Sequence, residues 1–87
     1  MNLELASSFV RAYKGVVKRD SQKAKVIQDK IEQFRLNPKH PLLRVHKLGG
    51  FATETWSFSV GFDLRILFTR DDDTVLLVGI GTHNQVY

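Results

Sequence analysis

The chain has 87 residues and a net charge of +4, from 13 Lys/Arg against 9 Asp/Glu, with 43% aliphatic and aromatic residues. That length suits one domain spanning residues 1–87, and the apolar content argues against disorder. Cysteine is absent, which excludes a disulfide framework, a thiolate nucleophile and a Cys-based zinc site; no run of 18 apolar residues or secretory leader is present, so the expectation is a cytoplasmic chain with no membrane contact.

Residues 2–6 (NLELA) alternate polar and apolar side chains and read as a short strand. Ser7 and Ser8 offer N-cap hydroxyls to a first helix, whose apolar stripe is Phe9, Val10, Tyr13, Val16 and Val17. Gly15 weakens this helix, and Arg19-Asp20-Ser21 ends it. Ser21 is placed to cap a second helix, in which Ala24, Ile27, Ile31 and Phe34 keep helical spacing until Asn37-Pro38 stops it. Residues 42–50 read as a loop. Trp56, Phe58 and Val60 alternate with Ser57 and Ser59 as a half-buried strand. Residues 64–68 and 74–80 are apolar runs separated by the turn Asp71-Asp72-Asp73, and such short spacings imply antiparallel hairpins. The fold class is therefore α+β: an N-terminal strand and a two-helix hairpin packed on a mostly antiparallel sheet of about four strands.

Charge is unevenly spread. Residues 1–40 carry nine Lys/Arg and four acids, while residues 41–87 carry four Lys/Arg and five acids. A basic half on so small a chain suits a polyanion or an acidic partner, and equally a solvated helix surface. The candidates for binding a nucleic acid are Lys14, Lys18 and Lys23 in the helices and Arg44 and Lys47 in the loop.

Arg65 interrupts an apolar strand. Period-two alternation sets it on the face of Asp63 and Leu67, opposite Leu64, Ile66 and Phe68. It is either half of a surface Asp–Arg pair or a guanidinium placed to grip phosphate. His83 follows the last strand in Gly81-Thr82-His83-Asn84, as a proton-transfer group or an exposed loop histidine. His46 lies between Arg44 and Lys47, ahead of Gly49-Gly50. Tyr87 stacks on a base or folds back as core. The three histidines lack a metal-binding pair spacing, and no phosphate-loop, dinucleotide or serine-hydrolase motif occurs, so neither a metal nor a small-molecule cofactor is expected.

The stretch Asn37-Pro38, Leu48-Gly49-Gly50, Trp56-Ser57-Phe58, residues 62–68 (FDLRILF) and residues 77–87 (LVGIGTHNQVY) resembles the RelE/ParE toxin superfamily of type II toxin–antitoxin systems. Its GTH ending, with an aromatic four residues later, is most similar to YafQ-type mRNA interferases. The two-helix first half agrees in arrangement. The resemblance implies a RelE-like fold and a ribosome-dependent mRNA endoribonuclease. In that chemistry the 2′-hydroxyl attacks the adjacent phosphate without metal, which inhibits translation. It implies a catalytic set of His46, Asp63, Arg65, His83 and Tyr87: acid/base groups, a strand acid, a phosphate-binding arginine, and a terminal aromatic for stacking or proton relay. It implies a cognate antitoxin protein, the ribosome and mRNA as partners. RelE-type members carry two lysines where this chain has Ser57 and Ser59, and YafQ-type members carry a histidine at the Ser59 position. The alternatives are a degenerate, non-enzymatic member that binds an antitoxin, and a ParE-like gyrase inhibitor, a branch lacking the GTH histidine.

Overall fold

The computed structural model describes residues 1–86; Tyr87, and with it the role expected there, lies outside the described residues. In chain order the elements are β1 (Asn2–Leu5), α1 (Ser7–Val17), α2 (Ser21–Leu36), a 3₁₀ turn (Pro41–Leu43), β2 (His46–Leu48), β3 (Thr55–Gly61), β4 (Leu64–Asp71), β5 (Thr74–Thr82) and α3 (His83–Val86). Within the described residues the strands form one five-stranded sheet in the order β1-β5-β4-β3-β2. All neighbours are antiparallel except β1 and β5, which run parallel. The α+β class stands as expected. The additional strand is β2, inside the stretch read as a loop; its three residues are too few to carry an alternation signal.

The apolar stripes explain the packing. Phe9 from α1 and Ile27 and Phe34 from α2 are buried against Phe58, Ile66, Phe68, Val75 and Leu77 of the sheet. Phe34 stacks on Phe58 with centroids 4.2 Å apart and tilts against Phe68 at 4.9 Å. Aromatic pairs of this kind add about 0.5–1.5 kcal/mol beyond the area they bury. Trp56 packs at the edge of this core, with the Arg70 guanidinium 5.3 Å from its ring centroid. One face of the sheet is thus the one that packs against the helices.

The caps differ from expectation. Ala6, not a serine, occupies the N-cap of α1 and makes no side-chain cap. Its own N–H donates to Leu77 O at 2.9 Å, and the Ser8 hydroxyl donates to Val78 O at 2.7 Å. Both bonds tie the start of α1 to β5 rather than to itself. In α2 the cap is Asp20, whose carboxylate accepts from the Lys23 N–H at 2.9 Å; Ser21 is already helical. At the far end Asn37 N–H closes on Gln33 O at 2.8 Å, ahead of Pro38 as expected.

Candidate functional site

The face away from the helices carries most of the candidate residues. Arg65 of β4 lies opposite Ser59 of β3 and Gly81 of β5, and the adjoining row is His46, Ser57, Leu67 and Gly79. Leu64, Ile66 and Phe68 join the helix-side core, so Arg65 and Leu67 face the other way, as the alternation requires. Ser57 is buried. The Arg65 guanidinium donates through Nε to Ser57 Oγ at 3.1 Å and through Nη2 to the Arg44 carbonyl at 3.1 Å. Two fixed acceptors on different elements orient the plane of its fork.

His46 completes this cluster. Its Nδ1 lies 3.2 Å from Arg65 Nη2 and 3.1 Å from the Arg44 carbonyl oxygen. Arginine only donates, so Nδ1 with a lone pair accepts from Arg65, and the neutral ring then carries its proton on Nε2. With the proton on Nδ1 instead, the ring donates to the Arg44 carbonyl and Nε2 holds the lone pair. The second tautomer is the one that presents a base to solvent.

A cleft of about 660 Å³ opens beside the arginine, lined by Arg44, Ser59, Asp63, Arg65, His83 and Asn84 among others. Asp63 reaches it from an unexpected place. It is not a strand residue: Phe62 and Asp63 are the two-residue loop between β3 and β4, with φ of +54° and +58°. Both central residues of a type I′ hairpin turn need positive φ. Nothing in Phe-Asp advertises such a turn, which normally takes Asn-Gly or Asp-Gly.

His83 arrives from the other side. β5 continues to Thr82, and His83 is the first residue of the short helix α3 rather than of a loop. The Thr82 N–H donates to Gln85 Oε1 at 2.8 Å. Gly81 permits α3 to lie this close: a Cβ there would stand 3.0 Å from Val86 Cγ1 and 3.0 Å from Gln85 Oε1. Gly79 has no such need, since a Cβ on it would meet only Leu67, at 3.8 Å.

The structure thus gathers four of the five expected site residues: Arg65, Asp63 and His83 line one cleft, and His46 touches Arg65. Arg44 also lines it. The remaining basic candidates disperse. Lys14 lies on α1 and Lys18 just beyond it, neither lining the cleft. Lys47 faces Glu54 at 3.7 Å. Lys23 places its ammonium 5.6 Å from the ring centroid of Phe62. Sequence reasoning missed Ser57 as the anchor of Arg65. The signal was the shared parity of Ser57, Ser59 and Arg65, which needs the hairpin register to be read. Among the described residues no group of three or more His, Asp or Glu side chains converges as a metal site requires, and no helix is long and apolar enough to cross a membrane.

No family model and no curated protein matches the sequence. Solved structures do match. A metal-bound toxin from Helicobacter pylori aligns with TM-score 0.80 and 20% identity over 100% of this chain and 99% of its own. YafQ from E. coli strain BL21(DE3) aligns with TM-score 0.74 and 19% identity over 99% of this chain and 97% of its own. YoeB from Staphylococcus aureus, solved as a dimer, gives TM-score 0.72 and 19% identity over 95% of this chain and 97% of its own. The chain therefore has the RelE-like α+β fold that the YafQ, YoeB and ParE-like toxins share.

Proposed function

We propose that this chain is the toxin of a type II toxin–antitoxin pair and that it cleaves mRNA on the ribosome. The observation that supports this reading is the single cleft lined by Arg65, His83 and Asp63, with Arg65 oriented by Ser57 and Arg44 and touching His46.

Cleavage by an internal 2′-hydroxyl asks for three things: a base for its proton, positive charge for the phosphorane, and an acid for the departing 5′-oxygen. The O2′–P bond forms as the P–O5′ bond breaks, leaving a 2′,3′-cyclic phosphate and a 5′-hydroxyl. His46 and His83 are the proton-carrying groups of this proposal. Arg65 holds the non-bridging oxygens through a fork already aimed by the sheet. Asp63 is the carboxylate partner in the turn. Tyr87 keeps the stacking or relay role that the resemblance gives it. No cofactor enters this chemistry.

An antitoxin is the proposed protein partner. Related folds are solved with theirs, the E. coli DinJ–YafQ complex and the heterotetrameric YoeB–YefM complex from S. aureus. The basic first half of this chain suits an acidic segment of such a partner.

The test is primer extension on a reporter mRNA in a reconstituted translation reaction. Wild-type protein should cut at ribosome-occupied codons, with no cuts when ribosomes are omitted and none from a folded His83→Ala variant. Undiminished cutting by that variant removes His83 from the chemistry. A folded wild type that never cuts returns the chain to the antitoxin-binding or gyrase-inhibiting alternatives, which a supercoiling assay separates.

A further inference from the structure

Core packing does not explain Phe62. It is 54% exposed, so it contributes little to the core, yet it takes a φ of +54°, a region that bulky side chains avoid. Asparagine or glycine would make the same type I′ turn with less strain. A local rule broken without a packing gain marks a position kept for another purpose. The ring also lines the cleft that holds Arg65 and His83, at its hairpin side. Lys23, held at the start of α2 by the Asp20 cap, sets its ammonium 5.6 Å from the ring centroid.

We infer that Phe62 is a stacking platform for an unpaired nucleobase of the RNA that enters this cleft, the base taking the ring face opposite the Lys23 ammonium and Lys23 serving as the cation for the adjoining phosphate. The inference rests on the RNA reading above and adds a subsite to it. A planar ring lining the cleft, with the Lys23 ammonium 5.6 Å from its centroid and Arg44 and Arg65 lining the same cleft, is the combination by which single strands are held: a base on an aromatic face and cations along the backbone. An apolar side chain of a protein partner would fit the ring alone and gain nothing from the three cations.

The test uses the full chain and 2′-O-methyl hexaribonucleotides of mixed sequence, which bind but cannot be cut, read by fluorescence anisotropy at low salt. Phe62→Ala and Phe62→Asn should each weaken binding about tenfold, the usual loss of one base stack, while Phe62→Trp binds as well as wild type or better. Phe62→Asn should raise Tm by about 4 °C, because asparagine tolerates positive φ. Binding unchanged in Phe62→Ala overturns the platform, as does Phe62→Trp binding as poorly as Phe62→Ala, or a wild type that binds no RNA. A Phe62→Asn chain no more stable than wild type overturns the argument from strain. Ribosomal cleavage measured in parallel separates this from the nuclease reading. RNA held through Phe62 without cutting keeps the platform and removes the nuclease; cutting that ignores Phe62 does the reverse.

Discussion

Replacing Arg65 by lysine keeps the charge and removes the fork. The native guanidinium bonds Ser57 Oγ and the Arg44 carbonyl, each at 3.1 Å, from two different nitrogens. A single ammonium cannot satisfy both acceptors in one plane. A hydrogen bond to a charged group contributes about 1.5–3 kcal/mol when buried. Arg65 is half-buried, so solvent screening brings this to about 1 kcal/mol per bond. Losing one or both costs orientation worth about 1–2 kcal/mol, which is a rate about five- to thirtyfold slower. Arg65→Ala also removes the charge and should slow cleavage by about a hundredfold, as loss of a positioned donor does elsewhere. The assay is single-turnover cleavage of ribosome-bound mRNA, with Tm recorded for each variant. Lysine as fast as arginine refutes the role given to the fork. Lysine as slow as alanine refutes the role given to charge. A large fall in Tm in both variants makes Arg65 a structural residue.

Gly81→Val should force α3 away from the sheet, since even a Cβ meets Val86 and Gln85 at 3.0 Å. Overpacking of this kind costs about 1–3 kcal/mol, and urea denaturation should show it together with slower cleavage, because His83 moves with α3. A stable and fully active variant would show that α3 need not lie where it does. An exposed pair on α2 adds a small acid-sensitive contribution to stability. A hydrogen bond from Arg35, opposed by desolvation and assisted by the arginine's charge, holds the Glu32 carboxyl below its ordinary value. A folded-state pKa lowered in this way gives stability that is complete above the usual glutamate range and fades as pH falls through the lowered value. The urea midpoints of wild type and Arg35→Gln should therefore differ most at pH 7 and converge toward pH 3; a gap that persists at low pH assigns the effect to packing of the arginine stem.

The parts of this molecule that repeat a period were legible in its sequence. The stripe Ile27, Ile31, Phe34 and the alternation around Phe58 and Ile66 predict the helix-side core, because burying one face is what sets those periods. Arg65 announced itself as a cation inside an apolar run. Asp63 was misplaced because counting by two through residues 62–63 assumes a continuous strand, whereas both are turn residues at positive φ. The parity of Ser57 and Ser59 with Arg65 depended on that same turn and on the irregular register between Ser59 and Gly61. α1 hid its cap because its first turn is tied to β5, a contact about 70 residues away in sequence. Short elements such as β2 and α3 exist through the neighbours they pair with, and no window of three or four residues records that.

The sheet order has a consequence for how this protein comes into being on a ribosome. β5 is the strand against which β1 and β4 both pair, and it follows the other four described strands in sequence. Until residues 74–82 have left the exit tunnel, β1 has no partner and the start of α1 has no anchor. Joining Leu3 to Val75 then closes a loop of about 70 residues, whose length-dependent entropy is roughly 4 kcal/mol. The cleft therefore waits for β5: a nascent chain halted before that strand has its basic helices but neither Gly81 nor His83, and translation must run past them before the cleft can form.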